Sequence, residues 1–179
     1  MTRSSPTAST ITVRAARRSD AQEIARIYNQ GIEDRTATFE TSLRDEADVL
    51  ARLETAERFP VLVAEDALGR IAGWAGIGAY RPRACYAGIG EFSIYLDRRL
   101  RGRGIGRQLL TGLVDAARDL GYWKLISRVF PTNAASRALC RACGFREVGT
   151  YEKHARLDGA WRDVVIVERL IPENLEPGE

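Results

Sequence analysis

"RRLRGRGIGR", residues 98–107, places five arginines and three glycines in ten positions. So much fixed positive charge on so little side-chain bulk has two ready uses. One is a basic arm that grips nucleic acid; the other is a backbone cradle for a phosphorylated ligand, with arginines around its rim. Upstream, residues from about Gly88 to Leu96 read as a strand. Downstream, Leu109, Leu110, Leu113, Val114 and Ala117 recur at helical spacing and predict a helix to Leu120. The stretch is therefore a glycine-rich turn between a strand and an amphipathic helix. Glycines let backbone N–H groups converge without Cβ atoms in the way, and a helix N-terminus adds partial positive charge, which suits an anion such as pyrophosphate. Nearby arginines can add charge-assisted bonds. Glycine and arginine are equally common in surface turns, so the rest of the chain has to decide.

Composition narrows the choice. A chain of 179 residues with 45% hydrophobic and 28% charged content fits one globular domain, expected over residues 11–171. The polar residues 1–10 and the segment "PENLEPGE" (172–179) read as flexible tails. With 27 basic against 24 acidic residues the net charge is only +3. The arginines are thus a local feature, and no aromatic platform is interleaved with them, so a nucleic-acid partner is not expected. No apolar run approaches the length of a membrane span, and "MTRSSPTAST" lacks the apolar core of a signal peptide. A cytoplasmic protein without a membrane partner is the expectation. Three cysteines, Cys85, Cys140 and Cys143, agree with a reducing compartment. The "CRAC" spacing of Cys140 and Cys143 invites a metal or redox reading, but there is no second cysteine pair and His154 is the single histidine, so no metal is expected.

Working outward, "ITVRAA" reads as a strand. Ser19 is a plausible N-cap for a helix with Ala21, Ile24, Ala25, Ile27 and Tyr28 on one face. Thr41 or Ser42 can open a second helix that carries Val49, Leu50 and Leu53 to about Phe59. "PVLVAED" and "RIAGWAGIGAY" bracket a turn at Ala67 to Gly69 and read as an antiparallel hairpin. After the long helix, "YWKLISRVF" is a strand. Asn133 begins another helix, and Gly144 stands where a left-handed C-cap would end it. "FREVGTYEKHARL" and "AWRDVVIVERLI" flank a turn at Asp158 and Gly159. In a Rossmann fold the glycines would follow the first strand, and here they follow the fourth. A P-loop needs lysine and then Ser or Thr, but Gly106 is followed by Arg107 and Gln108.

"RGRGIG" (101–106), preceded by "SIYLD", resembles the acetyl-CoA signature of the GCN5-related N-acetyltransferase (GNAT) superfamily, and "PTNAASRALCRACGF" resembles that family's following helical segment. "IYNQGIEDRTATFET", "AYRPRACYAGIGEFSIYL" and "LDGAWRDVVIVER" are most similar to its phosphinothricin N-acetyltransferase group, in particular the arsinothricin-resistance branch. The resemblance covers about residues 11–171. It implies an α/β (α+β) fold with a mixed, mostly antiparallel sheet of about seven strands flanked by about four helices. It also implies a homodimer that uses the C-terminal strands, where Trp161 and Asp163 recur.

The same resemblance implies roles. Acetyl-CoA would be the co-substrate, held by main-chain groups of Ile94, Tyr95 and Leu96, by Arg101, Gly102, Arg103, Gly104, Gly106 and Arg107, and at Asn133. Arg98 and Arg99 would need no more than solvent. Glu91 stands where the group carries its catalytic glutamate. Cys140 occupies the position where relatives place a tyrosine or histidine acid. Its thiol, with a reference pKa of about 8.5, either shares a proton with the leaving thiol or packs as a small hydrophobe. Arg81, Arg83 and Tyr86 match a segment that binds an acceptor carrying a carboxylate and a phosphinyl or arsinyl group, and Phe39 would wall that pocket. The implied activity is N-acetylation of a small toxic amino-acid analogue, giving resistance. Methionine sulfone or sulfoximine as acceptor, or a non-catalytic acetyl-CoA sensor, are the alternatives.

Overall fold

The computed structural model describes residues 10–175. The expected tail at 1–9 and the last four positions of the expected C-terminal tail lie outside the described residues. Seven strands run in chain order as β1 (Ile11–Ala15), β2 (Val61–Asp66), β3 (Ile71–Ala79), β4 (Ile89–Leu96), β5 (Lys124–Val129), β6 (Arg146–Leu157) and β7 (Ala160–Leu170). They form one sheet in the order β1-β2-β3-β4-β5-β7-β6. Every pairing is antiparallel except β4 with β5, which is parallel.

Four helices, α1 (Ala21–Asp34), α2 (Glu46–Leu53), α3 (Ile105–Asp119) and α4 (Ala134–Ala142), cover the sheet. β2 shows why its sequence is apolar without alternation. Val61 and Val63 pack with Ile24, Ile27 and Trp74 under α1 and α2, while Leu62 and Ala64 pack with Leu109, Leu110 and Leu113 under α3. A strand buried on both faces has no polar side to show. All five apolar positions read from the period of α3 are buried.

Helix starts moved where side-chain oxygens outcompeted the expected caps. Ser19 lies inside a 3-10 turn, Arg18–Asp20, closed by the Asp20 carboxylate accepting from the Arg17 amide at 2.7 Å. α2 begins at Glu46 rather than after Thr41 or Ser42, because Asp45 accepts from the Asp48 amide at 3.0 Å and Asp48 returns the bond at 3.1 Å. It ends at Leu53, short of Phe59. Asn133 does cap α4, accepting from the Ser136 amide at 3.0 Å. Gly144 has the expected left-handed backbone, φ 79°. At the C-terminal end, Pro172–Asn174 form a 3-10 turn where a tail was expected. Asn174 pins it by donating to the carbonyls of Arg118 at 2.7 Å and Tyr122 at 2.8 Å.

Candidate active site

β4 and β5 are paired only at Ile89 with Lys124, Gly90 with Leu125 and Glu91 with Ile126. Beyond that point the two strands part. At the apex of the gap, Ser127 Oγ donates to the Phe92 carbonyl at 2.9 Å, and Arg128 Nη1 donates to Glu91 Oε1 at 2.5 Å. A cavity of about 650 Å³ occupies the gap and continues on both faces of the sheet.

Strand alternation divides its walls. Phe92, Ile94 and Leu96 face the α3 side, while Tyr95, and by period Glu91 and Ser93, face the α1 side. A second alternation concerns the backbone. The Ile77 amide bonds to Pro60 and the Asp97 amide to Ala72, which fixes the hydrogen-bonded pairs between β3 and β4 as those at Glu91, Ser93 and Tyr95. The N–H and C=O groups of Ile94 and Leu96 therefore point into the gap that β5 has left.

At the α3 end the walls are Arg101, Gly102, Gly104, Gly106, Arg107, Asn133 and Leu139. Gly102 (φ 76°) and Gly104 (φ 78°) hold a left-handed backbone that few L-residues adopt. Gly106 is needed for space, since a Cβ there would stand 3.2 Å from Leu139 Cδ2 and 3.3 Å from Leu96 Cδ1. No side chain caps α3, and its first intrahelical bond runs from Gln108 to Gly104 at 3.4 Å. The amides of Ile105, Gly106 and Arg107 precede that bond and have no acceptor within the helix. Converging donors, no Cβ in the way and two arginines on the wall make this end fit a pyrophosphate.

The arginines around the turn divide differently from the expectation. Arg98 and Arg99, expected to need only solvent, are structural. Arg98 pairs with Asp34 at 3.0 Å and Glu33 at 3.2 Å. Arg99 pairs at 3.0 Å with Asp97, a buried carboxylate that Arg26 of α1 also holds at 2.9 Å. The hydrogen bond from the Arg99 side chain, with those from its amide and from Arg26, keeps the Asp97 carboxyl far below the usual carboxylate range despite burial. Arg101 is tied to Asp34 at 3.0 Å. Arg103 is exposed, does not line the cavity and donates to the Arg99 carbonyl at 3.5 Å. Asn133 lines the cavity with both ends of its amide engaged, since its Nδ2 donates to the Thr36 carbonyl at 3.2 Å.

At the α1 end the walls include Tyr28, Gly31, residues 36–40, Glu91, Ser93, Tyr95, Arg128, Phe130 and Val164. Phe39 meets Phe130 edge-on, 4.9 Å between ring centres. Gly31 allows α1 to approach, because a Cβ there would lie 2.6 Å from the Tyr95 ring. Tyr28, Ser127, Arg128, Phe130 and Val164 were not singled out as site residues. Their membership depends on the parting of β4 and β5, which no local pattern signals. Gly31, a lone glycine inside an amphipathic helix, was the available clue.

Besides Arg103, four expected residues lie off the wall. Cys140 is 1% exposed in the core beside Phe145 and Leu109, away from the cavity wall, and burial, with Cys143 adding, pushes its thiol up to about 11. It packs as a small hydrophobe. Arg81 and Arg83 are exposed and Tyr86 is half-buried, on a loop off the wall; Tyr86 stacks edge-on to Tyr80 at 5.6 Å, and Arg81 lies 5.2 Å over the Tyr80 ring. Tyr80 holds the loop against the end of β3. Among the described residues no group of three His, Cys, Asp or Glu is arranged for a metal ion, and no helix is long and apolar enough to cross a membrane.

Comparison with known proteins gives this geometry its place. A model of the "Acetyltransferase (GNAT) family" matches residues 22–145. The L-methionine sulfoximine/L-methionine sulfone acetyltransferase of Pseudomonas aeruginosa is 34% identical over 167 residues, 92% of this chain and 95% of that protein. The phosphinothricin N-acetyltransferase of Alcaligenes faecalis is 36% identical over 162 residues, 88% of this chain and 81% of that protein. A solved phosphinothricin acetyltransferase from Sinorhizobium meliloti, in complex with AcCoA, is similar with a TM-score of 0.87 at 33% identity, covering 94% of this chain and 92% of that one. With a seven-stranded mixed sheet that parts beside a glycine turn, and a family match across most of its length, the chain belongs to the GNAT family of acetyltransferases.

Proposed function

We propose that the protein is an acetyl-CoA-dependent N-acetyltransferase acting on the α-amino group of a small toxic amino-acid analogue of the arsinothricin or phosphinothricin type, giving resistance in the cytoplasm. The observation that carries this reading is one cavity passing through the parted sheet, with anion-binding groups at one end and a carboxylate among aromatic walls at the other.

The free amides of α3, the glycine turn, Arg101 and Arg107 would hold the pyrophosphate, with Arg103 at the rim. The exposed strand edge at Ile94 and Leu96 would align the pantetheine arm. When bound, acetyl-CoA supplies the thioester acetyl group that the acceptor amine takes, releasing a thiol. An α-ammonium has a pKa of about 8, so a carboxylate base suffices near neutral pH. Glu91, anchored by Arg128, takes that proton directly or through water. The Ile94 amide, aimed into the gap, polarises the reacting carbonyl. Cys140 is withdrawn from the acid role by its burial, and the departing thiolate takes its proton from water or another cavity group.

Homodimer formation belongs to the same reading. It is supported by the exposed Val148, Tyr151 and Trp161 on the β6–β7 pair at the sheet edge. One observation favours the methionine sulfone or sulfoximine alternative: Tyr28, Phe39, Phe130 and Val164 make the acceptor end largely apolar, while Arg81 and Arg83 lie off it. A neutral sulfonyl head suits such walls better than an anionic one. Thiol release measured with arsinothricin, phosphinothricin, methionine sulfone and methionine sulfoximine is expected to show selective turnover of at least one. Intact acetyl-CoA binding with no turnover of any would overturn the reading in favour of a sensor.

A further inference from the structure

Arg52, on α2, carries a guanidinium with no carboxylate partner among the described residues. Its Nε is buried without a hydrogen-bond partner, and Nη2 reaches the Ile77 carbonyl at 3.5 Å. Cζ lies 5.1 Å from the centre of the Trp74 ring. The arginines of the acceptor end are paired, Arg128 with Glu91 and Arg44 with Glu40; at the α3 end Arg101 is paired with Asp34, and Arg107 has no carboxylate within salt-bridge distance among the described residues. Burial weakens the hold of Arg52 on its proton, yet a guanidinium stays charged at any physiological pH. Arg52 is half-buried, with its Nε cut off from water; an unpaired charge so placed is costly to keep, and an apolar side chain of similar length fills the same space without that cost.

The place of this charge matters. A Cβ on Gly76 would stand 2.9 Å from Arg52 Nη2, so the guanidinium rests on β3 at Gly76. Gly76 is the cross-strand partner of Ser93, which lines the cavity. Opposed residues share a face, and neighbouring strands are about 4.8 Å apart. Above the sheet, Trp74 stacks on Tyr95 at 5.3 Å, and Tyr95 meets Tyr28 at 4.8 Å; both tyrosines line the acceptor end. The medium between Arg52 and the cavity is thus strand and aromatic ring, which screen a charge far less than water. Glu91 is offset by Arg128 and Glu40 by Arg44, so the charged walls of the acceptor end are internally neutralised, Arg107 stands at the opposite, α3 end, and Arg52 is the unpaired charge behind the acceptor walls.

Every free amino acid that enters brings an α-carboxylate that must leave water. We propose that Arg52 is a specificity-determining residue whose uncompensated charge, acting through its field, selects acceptors that carry an α-carboxylate over their neutral counterparts. This rests on the amino-acid acceptor proposed above. The experiment compares kcat/KM for methionine sulfone and for its primary amide in the full-length enzyme, in Arg52→Met, which keeps length without charge, and in Arg52→Lys, which keeps charge. The acid-to-amide ratio is expected to fall about tenfold in Arg52→Met, equivalent to about 1.4 kcal/mol, and to be largely kept in Arg52→Lys. The acetyl-CoA KM is expected to be unchanged in both. Wild-type preference for the acid that survives in Arg52→Met overturns the inference and leaves the acceptor class standing. Equal losses on acid and amide give Arg52 a packing role and overturn it too. A wild type that shows no preference for the acid overturns this inference, and one that turns over neither compound overturns it too, the acceptor class falling with it only if arsinothricin, phosphinothricin and methionine sulfoximine are also refused.

Discussion

Glu91 illustrates what one residue's surroundings add to its chemistry. On β4 it stands at the last paired position before the strands part, and Arg128 holds one of its oxygens at 2.5 Å. It is fixed by backbone pairing on one side and by charge on the other, so its second oxygen is presented to the cavity with little freedom. Glu91→Gln keeps the shape and removes the basic function. Turnover is expected to fall by about 10²- to 10⁴-fold, the usual weight of general-base catalysis, with the acetyl-CoA KM changed less than about twofold. Steady-state kinetics with each substrate varied in turn checks this, and near-normal turnover would remove Glu91 from the role. Cys140 is the counterexample. Its position resembles one where relatives carry an acid, with packing as the other reading, and the apolar side chains around it favour packing. The signal was in its spacing, for Cys140 on α4 and Cys143 at its C-cap, three residues on, are both buried in the core with Leu139 packed against the same cluster.

At the scale of elements, the glycine turn was legible because its causes are local. A strand period, glycines and a helix period in succession leave few alternatives, and α3 begins within the expected stretch. Helix starts were less legible, since Asp45 and Asp20 competed with hydroxyl residues a few positions away, and the winner depends on which oxygen reaches an amide. The parting of β4 and β5 was not legible at all, nor were the contributions of Ser127 and Arg128, because strand divergence is a property of the sheet. The turn also admits a clean test. Nothing lies within 4 Å of a Cβ added to Gly104, so Gly104→Ala is strained by its φ of 78° alone. That strain is about 1–2 kcal/mol. The acetyl-CoA KM is expected to rise about five- to thirtyfold with the acceptor KM unchanged. Gly149→Ala, equally unobstructed but free of positive φ, is expected to behave as wild type in the same assay.

Across the whole molecule, α1 is bolted to the glycine turn through Asp97, which Arg26 and Arg99 share. The folded carboxyl titrates far below its unfolded value of about 3.9. A depressed folded value means the contribution is complete above the unfolded one and is lost as pH falls toward the folded one. The urea midpoint is therefore expected to be flat from pH 7 to 5 with respect to this group and to decline below about pH 4. Asp97→Asn is expected to be less stable at pH 7 and to lose less of its stability between pH 4 and 2. An Asn variant whose acid decline matches wild type would place the lost protons elsewhere.

The sheet is one object by strand order but nearly two by connection. β1 to β4 form one panel and β5, β7 and β6 another, stitched by three residue pairs and two side-chain bonds at the apex. The chain crosses between the panels through α3, which rests chiefly on the first. On the proposed reading, a donor that spans the opening and touches both panels takes the place of the missing ladder, so it is at once a reactant and a temporary seam. Each turnover then removes part of the molecule's own tailoring and must restore it before the next.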